Sequence, residues 1–271
     1  MEFEILISTM YRNNMDFLEE MFARVGGPRF PVLIVNQTDP ENQLKSESEH
    51  IRVINSSSRG LSQSRNLAIA HAKGKVCLVA DDDVTYLPGF EEVILRAHQR
   101  QQEAVVITFK MLDQAGREYR LYPDHTEHDL STIGTVNGVV ISFKREPLLQ
   151  AGIVYNRHFG LGCTFQSANE YVFMRNVLKS GVRAIFEPQP ILEHPEISSG
   201  RDEGSDRVVY ARAALRYKYF GFWSYLWVIK YVRFLWAQGY IQLKQFRQKL
   251  KVGYAGISAY RDLLRNGSEI R

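Results

Sequence analysis

The chain contains 271 residues, of which 45% are hydrophobic and 24% are charged, and its net charge is +4. This composition is typical of a globular protein with a sizeable core, and it excludes disordered and collagen-like chains. The two cysteines, Cys77 and Cys163, are too few for a disulfide framework and lack the spacing of a zinc site. With no leader pattern before the first apolar run, we expect a cytoplasmic protein in a reducing compartment.

The first hundred residues alternate between β-rich runs and helical patterns. These patterns predict strands at residues 3–8, 31–36, 51–55 and 75–80, and helices at residues 15–25 and 61–72. Such alternation is typical of parallel βαβ units with right-handed crossovers. We therefore expect an α/β fold whose mixed, mainly parallel sheet is flanked by helices and binds ligands at the carboxyl ends of its strands.

The second half of the chain is less regular. The patterns predict a helix from Pro88 to residue 101, a strand at 104–109, a hairpin over 111–122 that turns at 113–116 and a strand at 137–143. They then predict a loop at 158–163, whose glycines allow mobility or close substrate approach, a helix at 168–179, a strand at 183–187 and a proline-rich polar stretch at 188–206. We expect one domain over 1–206, with halves at 1–100 and 101–206, and a helical extension over 207–271.

Three adjacent carboxylates, Asp81, Asp82 and Asp83, follow the apolar run Val76–Ala80. Their mutual repulsion is costly unless a positive partner lies among them. A divalent cation that carries a phosphorylated ligand is such a partner. The alternative interpretation is a solvated acidic turn.

The segment 207–251 contains ten Lys or Arg, no Asp or Glu, and all three tryptophans. Cations interleaved with aromatic rings suit the headgroup region of an anionic membrane. Lys230 and Arg233 disfavour a membrane-spanning helix, because both charges lie near the middle of the apolar stretch. The alternative interpretation is that these helices pack on the protein's own core or on a second copy in a homo-oligomer. No recognisable motif supports a nucleic-acid partner.

The order and spacing of several motifs resemble the GT-A fold glycosyltransferases of the large inverting family 2. The motifs are the first strand and turn Ile5–Thr9, the second strand Val32–Gln37, the stretch Ser58–Ala68, and the strand that ends in Asp81–Asp83. The resemblance continues more loosely to about residue 200. It implies a GT-A (Rossmann-like) fold and a sugar-transferring enzyme of the hexosyl type.

By this resemblance, Thr9, Asn36, Arg65, Asp81 and Asp82 belong to the nucleotide-sugar site. Thr9, Asn36 and Arg65 fall where the family holds the base and ribose, and Asp81 faces the ribose. The family often has Asp where this chain has Asn36. An amide also bonds a pyrimidine edge, and a UDP-sugar is the favoured donor.

The resemblance places two further functions later in the chain. Glu170 occupies the position of the catalytic carboxylate, although the family's usual Glu-Asp pair is Asn169-Glu170 here. The alternative for Glu170 is a capping box with Ser167 that closes a helix N-terminus. Asp83 and His194 fall where the family binds its metal, Mn²⁺ or Mg²⁺, with a surface loop position as the alternative for His194.

The function implied is metal-dependent, inverting transfer of a sugar from a nucleotide-sugar to a glycan or lipid-linked acceptor, with Glu170 as the general base. The segment 207–251 would then hold the protein peripherally on the inner face of the membrane, as suits polysaccharide biosynthesis.

Three alternatives from other classes stay open. Asp81–Thr85 also fits the nucleophile motif of haloacid dehalogenase-like phosphatases, although the later acidic pair, Asp202 and Asp206, follows Ser198–Gly200 rather than an apolar strand. A nucleotidyltransferase would need a Gly-rich, Lys-bearing loop, and this chain has Ser8–Arg12 there. A peripheral membrane protein that binds a nucleotide-sugar without turnover is the non-enzymatic alternative.

Overall fold

The computed structural model describes residues 2–195 and 203–269, and Asp202 lies outside them. The described residues form two compact units, one of residues 2–155 and 170–195 and the other of residues 156–169 and 203–269. The glycine-rich segment thus groups with the C-terminal helices. The predicted halves 1–100 and 101–206 stay a prediction.

The first unit is built on one eight-stranded sheet. Its strands are β1 (Phe3–Met10), β2 (Val32–Gln37), β3 (Ile51–Ser56), β4 (Val76–Asp81), β5 (Thr85–Tyr86), β6 (Ala104–Leu112), β7 (Ile141–Lys144) and β8 (Arg183–Glu193). Their order in the sheet is β3-β2-β1-β4-β7-β6-β8-β5. Its helices are α1 (Asp16–Met21), α2 (Leu61–His71), α3 (Phe90–Arg100), α4 (Arg145–Gln150) and α5 (Asn169–Ser180).

The pairing of the strands is mixed and mainly parallel. β3, β2, β1 and β4 run parallel, as do β6 and β8, while β7 lies antiparallel between β4 and β6. The central strands are buried on both faces, because one apolar cluster lies on each side of the sheet. The predicted α/β fold with a mixed, mainly parallel sheet flanked by helices is confirmed.

Four predicted elements were wrong in extent. The helix predicted at 15–25 ends at Met21, ahead of Gly26 and Gly27, which both have positive φ. The strand predicted at 137–143 begins at Ile141, because the Asn137 side chain accepts a hydrogen bond from the Val139 amide and caps a 3₁₀ turn, Gly138–Val140.

The hairpin predicted at 111–122 keeps its turn but not its second strand. The turn closes with a hydrogen bond from the Gly116 amide to the Asp113 carbonyl. The returning chain makes a single antiparallel bridge, with a backbone hydrogen bond from the Tyr119 amide to the Met111 carbonyl. Beyond it, the Tyr122 hydroxyl bonds the amide and the carbonyl of Met111, and no second strand forms.

The strand predicted at 183–187 instead continues through Pro188 and Pro190 to Glu193. Its pairing with β6 contains register shifts around Lys110, which pairs with Pro190. Proline is tolerated in a strand where such an irregularity removes the need for its missing N–H. The extension carries the chain to His194.

The second unit consists of the segment 156–169 and three helices, α6 (Asp206–Phe220), α7 (Ser224–Ala237) and α8 (Phe246–Arg265). Their inward faces form a core of their own, which includes Val209, Val228 and Ile257. The predicted C-terminal helical extension is confirmed. No helix in the described residues combines the length and the apolar character needed to cross a membrane.

The glycine-rich loop at 158–163 forms a compact turn. Phe159 and Phe165 are fully buried and contact the ring of Tyr260. The amide of Gly160 donates to the Phe165 carbonyl, and the amide of Phe165 donates to the His158 carbonyl. Positive φ angles at Gly160 and Gly162 make this tight path accessible.

Candidate active site

The candidate site lies in the first unit, at the carboxyl ends of β1, β2 and β4. Parallel pairing sets Thr9 of β1 beside Asn36 of β2, and Ser8 of β1 beside Asp81 of β4. Because the three strands are parallel and adjacent, their ends bring these residues to one edge of the sheet. Residues far apart in sequence thus share one site.

Arg65 lies at the centre of the site and bridges two carboxylates. Its Nη2 donates to Oδ1 of Asp81 at 3.0 Å, and its Nη1 donates to Oε1 of Glu170 at 3.2 Å. The Arg65 side chain is only 1% exposed, whereas Asp81 and Glu170 remain partly accessible. The buried guanidinium therefore fixes two carboxylates that both reach solvent.

The environment of Arg65 favours its charged form. Burial alone would lower the pKa of Arg65, but the carboxylates of Asp81 and Glu170 outweigh it and raise that pKa above its ordinary value. The guanidinium also lies against the ring of Tyr155, 5.4 Å from its centroid. A permanent positive charge is thus held between two negative ones.

Gly138 makes room for this guanidinium. A Cβ atom built on Gly138 would lie 2.4 Å from Nη2 and 2.6 Å from Nη1 of Arg65. No side chain fits there unless Arg65 moves. Gly138 was not identified from the sequence, since nothing in its neighbourhood of the chain shows what approaches it.

The remaining oxygens of the two bridged carboxylates face no hydrogen-bond donor from the described residues. Asp81 uses Oδ1 and Glu170 uses Oε1 to bind Arg65, which leaves Oδ2 and Oε2 without such a partner within residues 2–195 and 203–269. Each can accept a proton or a hydrogen bond from a ligand hydroxyl.

The capping-box interpretation of Glu170 was wrong. Helix α5 begins at Asn169, so Glu170 is its second residue rather than the third that a box with Ser167 requires. Ala168, just before the helix, has a positive φ of 64°. The Glu170 side chain pairs instead with Arg65.

Asp82 is more deeply engaged with the protein than the motif suggested. Its Oδ2 accepts hydrogen bonds from Oγ1 of Thr9 at 2.5 Å and from Nε of Arg12 at 2.7 Å. Arg12 also lies over the ring of Phe17. Asp82 therefore ties the loop after β1 to the end of β4. Arg12 was not identified from the sequence, because a lone arginine in a loop carries no signal of its own.

Asn36 is fully buried, and its amide serves the same loop. Its Oδ1 accepts from the Arg12 amide at 3.2 Å, while its Nδ2 donates to the Arg12 carbonyl at 2.9 Å and to Oδ1 of Asn55 at 3.1 Å. Both ends of the amide thus hold protein groups. Its predicted contact with a base stays a prediction.

Asp83 and His194 lie next to each other at the end of β8. Nε2 of His194 is 3.7 Å from Oδ1 of Asp83. Nδ1 of His194 bonds the Pro195 carbonyl, which only accepts, so Nδ1 carries a proton and Nε2 is the ring nitrogen that faces Asp83. Partial burial raises the pKa of Asp83; His194 opposes this and the charges of Asp81 and Asp82 add to it.

This donor pair suits a hard divalent cation. A carboxylate oxygen and an imidazole lone pair that face each other repel unless a proton or a cation lies between them, and Mn²⁺ accepts both ligand types. No group of three or more His, Cys, Asp or Glu in the described part of the chain is arranged to hold a metal ion. Two protein ligands are sufficient for a cation that also binds substrate phosphates.

Solved structures that are similar to the chain carry the same fold. Three solved structures of S. aureus TarS match: TarS 1-349 (15% identity, TM-score 0.52, 97% of this chain and 92% of that one), the same fragment with UDP-GlcNAc (14%, 0.53, 98% and 92%) and TarS (16%, 0.56, 96% and 54%). A search of the curated proteins found no match.

A family model covers more than half of the chain. The model of glycosyl transferase family 2 matches residues 12–170, a range that runs from Arg12 through Arg65 and the Asp81–Asp83 triplet to Glu170. The prediction made from the motifs is confirmed: the chain belongs to glycosyl transferase family 2 and is a GT-A fold glycosyltransferase.

Proposed function

We propose that this protein transfers a sugar from a nucleotide-sugar, with a UDP-sugar favoured, to a hydroxyl of a glycan or lipid-linked acceptor, and that the anomeric configuration inverts. The observation that carries the proposal is the bridge from Arg65 to Asp81 and Glu170, which joins the predicted ribose contact to the predicted base. The structure of TarS with UDP-GlcNAc supports the choice of donor.

Glu170 is the general base in this proposal. Oε1 is fixed by Arg65, so Oε2 is oriented to accept the proton of the acceptor hydroxyl as that oxygen attacks the anomeric carbon. Attack from the face opposite the leaving diphosphate inverts the configuration. Because Arg65 is itself immobilised by burial and by Asp81, Glu170 does not have to be ordered during the reaction.

The other site residues shape the donor pocket. Oδ2 of Asp81 accepts a hydrogen bond from a ribose hydroxyl, while Asp82 and Asn36 hold the loop of Thr9 and Arg12 that borders the nucleotide. Asp83 and His194 would hold Mn²⁺ or Mg²⁺, which when bound neutralises charge on the diphosphate leaving group.

Nothing in the site favours the alternative functions. The phosphatase interpretation needs Asp81 as a nucleophile, but Oδ1 of Asp81 is bound by Arg65. A protein that binds a nucleotide-sugar without turnover would not need Glu170 as a base, so the rate of sugar transfer distinguishes the two functions.

The test compares Glu170→Gln with Glu47→Gln, a matched change at an exposed position. We expect Glu170→Gln to lower the rate of sugar transfer by about 10²–10⁴-fold, because the amide cannot accept the proton. Its melting temperature should still rise on addition of UDP and Mn²⁺, since a ligand that binds the folded state stabilises it.

Three results would contradict the proposal. They are an unchanged rate in Glu170→Gln, no transfer by the parent protein despite UDP binding, and no stabilisation by any nucleoside diphosphate. For the metal, Asp83→Asn should abolish the Mn²⁺-dependent part of the stabilisation, whereas Asp124→Asn, at an exposed loop position, should leave it intact.

A further inference from the structure

Helix α7 of the second unit has one buried face and one exposed apolar face. The buried face belongs to the core of this unit and consists of Ser224, Val228, Tyr231, Val232 and Leu235. The exposed face and its N-terminal flank carry six large apolar side chains, Phe222, Trp223, Leu226, Ile229, Phe234 and Trp236. These six residues, with Lys230 and Arg233 between them, are here named the α7 surface.

The α7 surface is continuous. Leu226, Ile229, Arg233 and Trp236 follow one another at spacings of three and four residues, so they lie along one side of the helix. Phe222 and Trp223 extend this side beyond the first turn and are 75% and 71% exposed. Soluble monomers rarely expose apolar side chains in such a continuous patch without a partner for it.

Nine of the ten cations between residues 207 and 251 divide into two groups, and the tenth, Arg207, donates to the Gln166 carbonyl. Four are satisfied internally: Lys218 pairs with Glu269, Lys249 with Asp206 and Arg212 with Glu203, and Arg216 lies 3.5 Å from the ring centroid of Phe220. Five others are exposed and form no ion pair with any residue that the structure describes, namely Lys230, Arg233, Lys244, Arg247 and Lys251. Within the segment 207–251, the cations without an ion pair therefore lie on the α7 surface and near the start of the next helix.

This charge pattern argues against a second copy as the partner. Two copies of the α7 surface related by a two-fold axis would bring Lys230 and Arg233 of both chains together. No Asp or Glu between residues 207 and 251 is present to compensate them. An anionic lipid headgroup, in contrast, offers a phosphate to each cation and an apolar layer to each ring.

We infer that the α7 surface docks on an anionic lipid membrane, with its aromatic rings at the level of the headgroups and Lys230 and Arg233 extended to lipid phosphates. Helix α7 has 14 residues and spans about 21 Å, less than the roughly 30 Å hydrocarbon layer, so it lies in the interface. Docking needs neither donor nor acceptor, and thus stands apart from the proposed transfer reaction.

The test is flotation of the full chain with vesicles of phosphatidylcholine, alone or mixed with phosphatidylglycerol. We expect the protein to float with the mixed vesicles, and to be released by salt. All three tryptophans lie in the second unit, so vesicle binding should also shift the tryptophan emission to the blue. Trp223→Ser combined with Leu226→Ser should abolish flotation.

Charge removal gives a second, graded measurement. Lys230→Gln combined with Arg233→Gln should weaken partition onto the mixed vesicles by roughly thirtyfold, at about 1 kcal/mol for each cation. Lys45→Gln combined with Lys179→Gln, two exposed lysines of the first unit, is the matched control and should have no effect.

Any of three results would overturn the inference. They are failure of the parent protein to float, flotation that is equal in the variants and the parent, and a concentration-dependent dimer that Trp223→Ser dissociates in the absence of lipid. Sedimentation velocity without vesicles detects the dimer. The melting temperature of each variant, measured alongside, shows that loss of flotation is not loss of folding.

Discussion

The sheet edge that carries the candidate site and the α7 surface differ in how their charged side chains are paired. At the sheet edge, Arg65 is buried and each of its two carboxylate partners is also a candidate for chemistry. On the α7 surface the cations are exposed without carboxylates, and the apolar groups beside them are exposed as well. The charges at the sheet edge are paired within the chain, so the site is organised before any ligand binds. The charges and apolar groups of the α7 surface have no such partners in the described residues, and they are complementary to a partner outside the protein.

Removing the central cation of the sheet edge should have the largest effect on stability. Arg65→Met leaves Asp81 and Glu170 without their shared partner in a partly buried setting, and we expect unfolding to become easier by about 3–5 kcal/mol in urea titrations. The control is Arg96→Met, which breaks the exposed pair of Arg96 with Glu92 and should cost less than about 1 kcal/mol. Equal losses in the two variants would show that the bridge adds nothing to an ordinary surface pair.

A smaller change tests the space around the same guanidinium. Gly138→Ala keeps Arg65 but places a Cβ atom where Nη1 and Nη2 lie, so the guanidinium has to leave at least one carboxylate. We expect a loss of about 2–3 kcal/mol, somewhat less than full removal of the pair, together with a lower transfer rate. Gly134→Ala is the matched control, because no atom lies within 4 Å of its Cβ position. A stable, active Gly138→Ala would mean that the position of Arg65 is not essential.

Acid should weaken the sheet unit through a buried histidine. Burial lowers the pKa of His128 from 6.5 to about 4, and the ring bonds Thr108 and Thr132 in place of solvent. The unfolded chain takes up this proton near pH 6.5 and the folded chain only near pH 4. Stability is therefore full above pH 6.5 and falls as the pH drops through this window, by about 2 kcal/mol at pH 5.

The measurement for this prediction is the difference in unfolding free energy between pH 7 and pH 5. In His128→Asn that difference should be smaller than in the parent protein. In His50→Asn, at an exposed position, it should be unchanged. An identical pH dependence in all three proteins would show that His128 does not cause the loss of stability in acid.

The smallest effect is expected on the α7 surface. Trp223→Ser should change the unfolding free energy by less than about 0.5 kcal/mol, because the ring is largely exposed. Val228→Ser, on the buried face of the same helix, should cost more than about 2 kcal/mol. Calorimetry of both variants measures these two changes in unfolding free energy. A large loss in Trp223→Ser would mean that the surface is part of the core and has no outside partner.

Local patterns predicted much of the fold, because strand alternation and helical spacing act over a few residues. They failed where a tertiary contact overrode them. Pro188 and Pro190 predicted the end of a strand. In the structure β8 continues through both prolines, where its pairing with β6 shifts in register. Glu170 fitted a capping box in sequence, but helix α5 begins at Asn169 and the Glu170 side chain pairs with Arg65.

The sequence by itself determined the family, the alternating fold and the strand end that carries Asp81–Asp83, since each depends on motifs in order along the chain. Only the tertiary structure decided which groups meet. Arg65 and Glu170 are 105 positions apart, and Gly138 matters only because a guanidinium packs against it. The same holds in the second unit, where composition predicted a basic and aromatic segment. Packing of α7 on its own core decided which of those side chains remain outside, because one face of a helix is buried only at the expense of exposing the other.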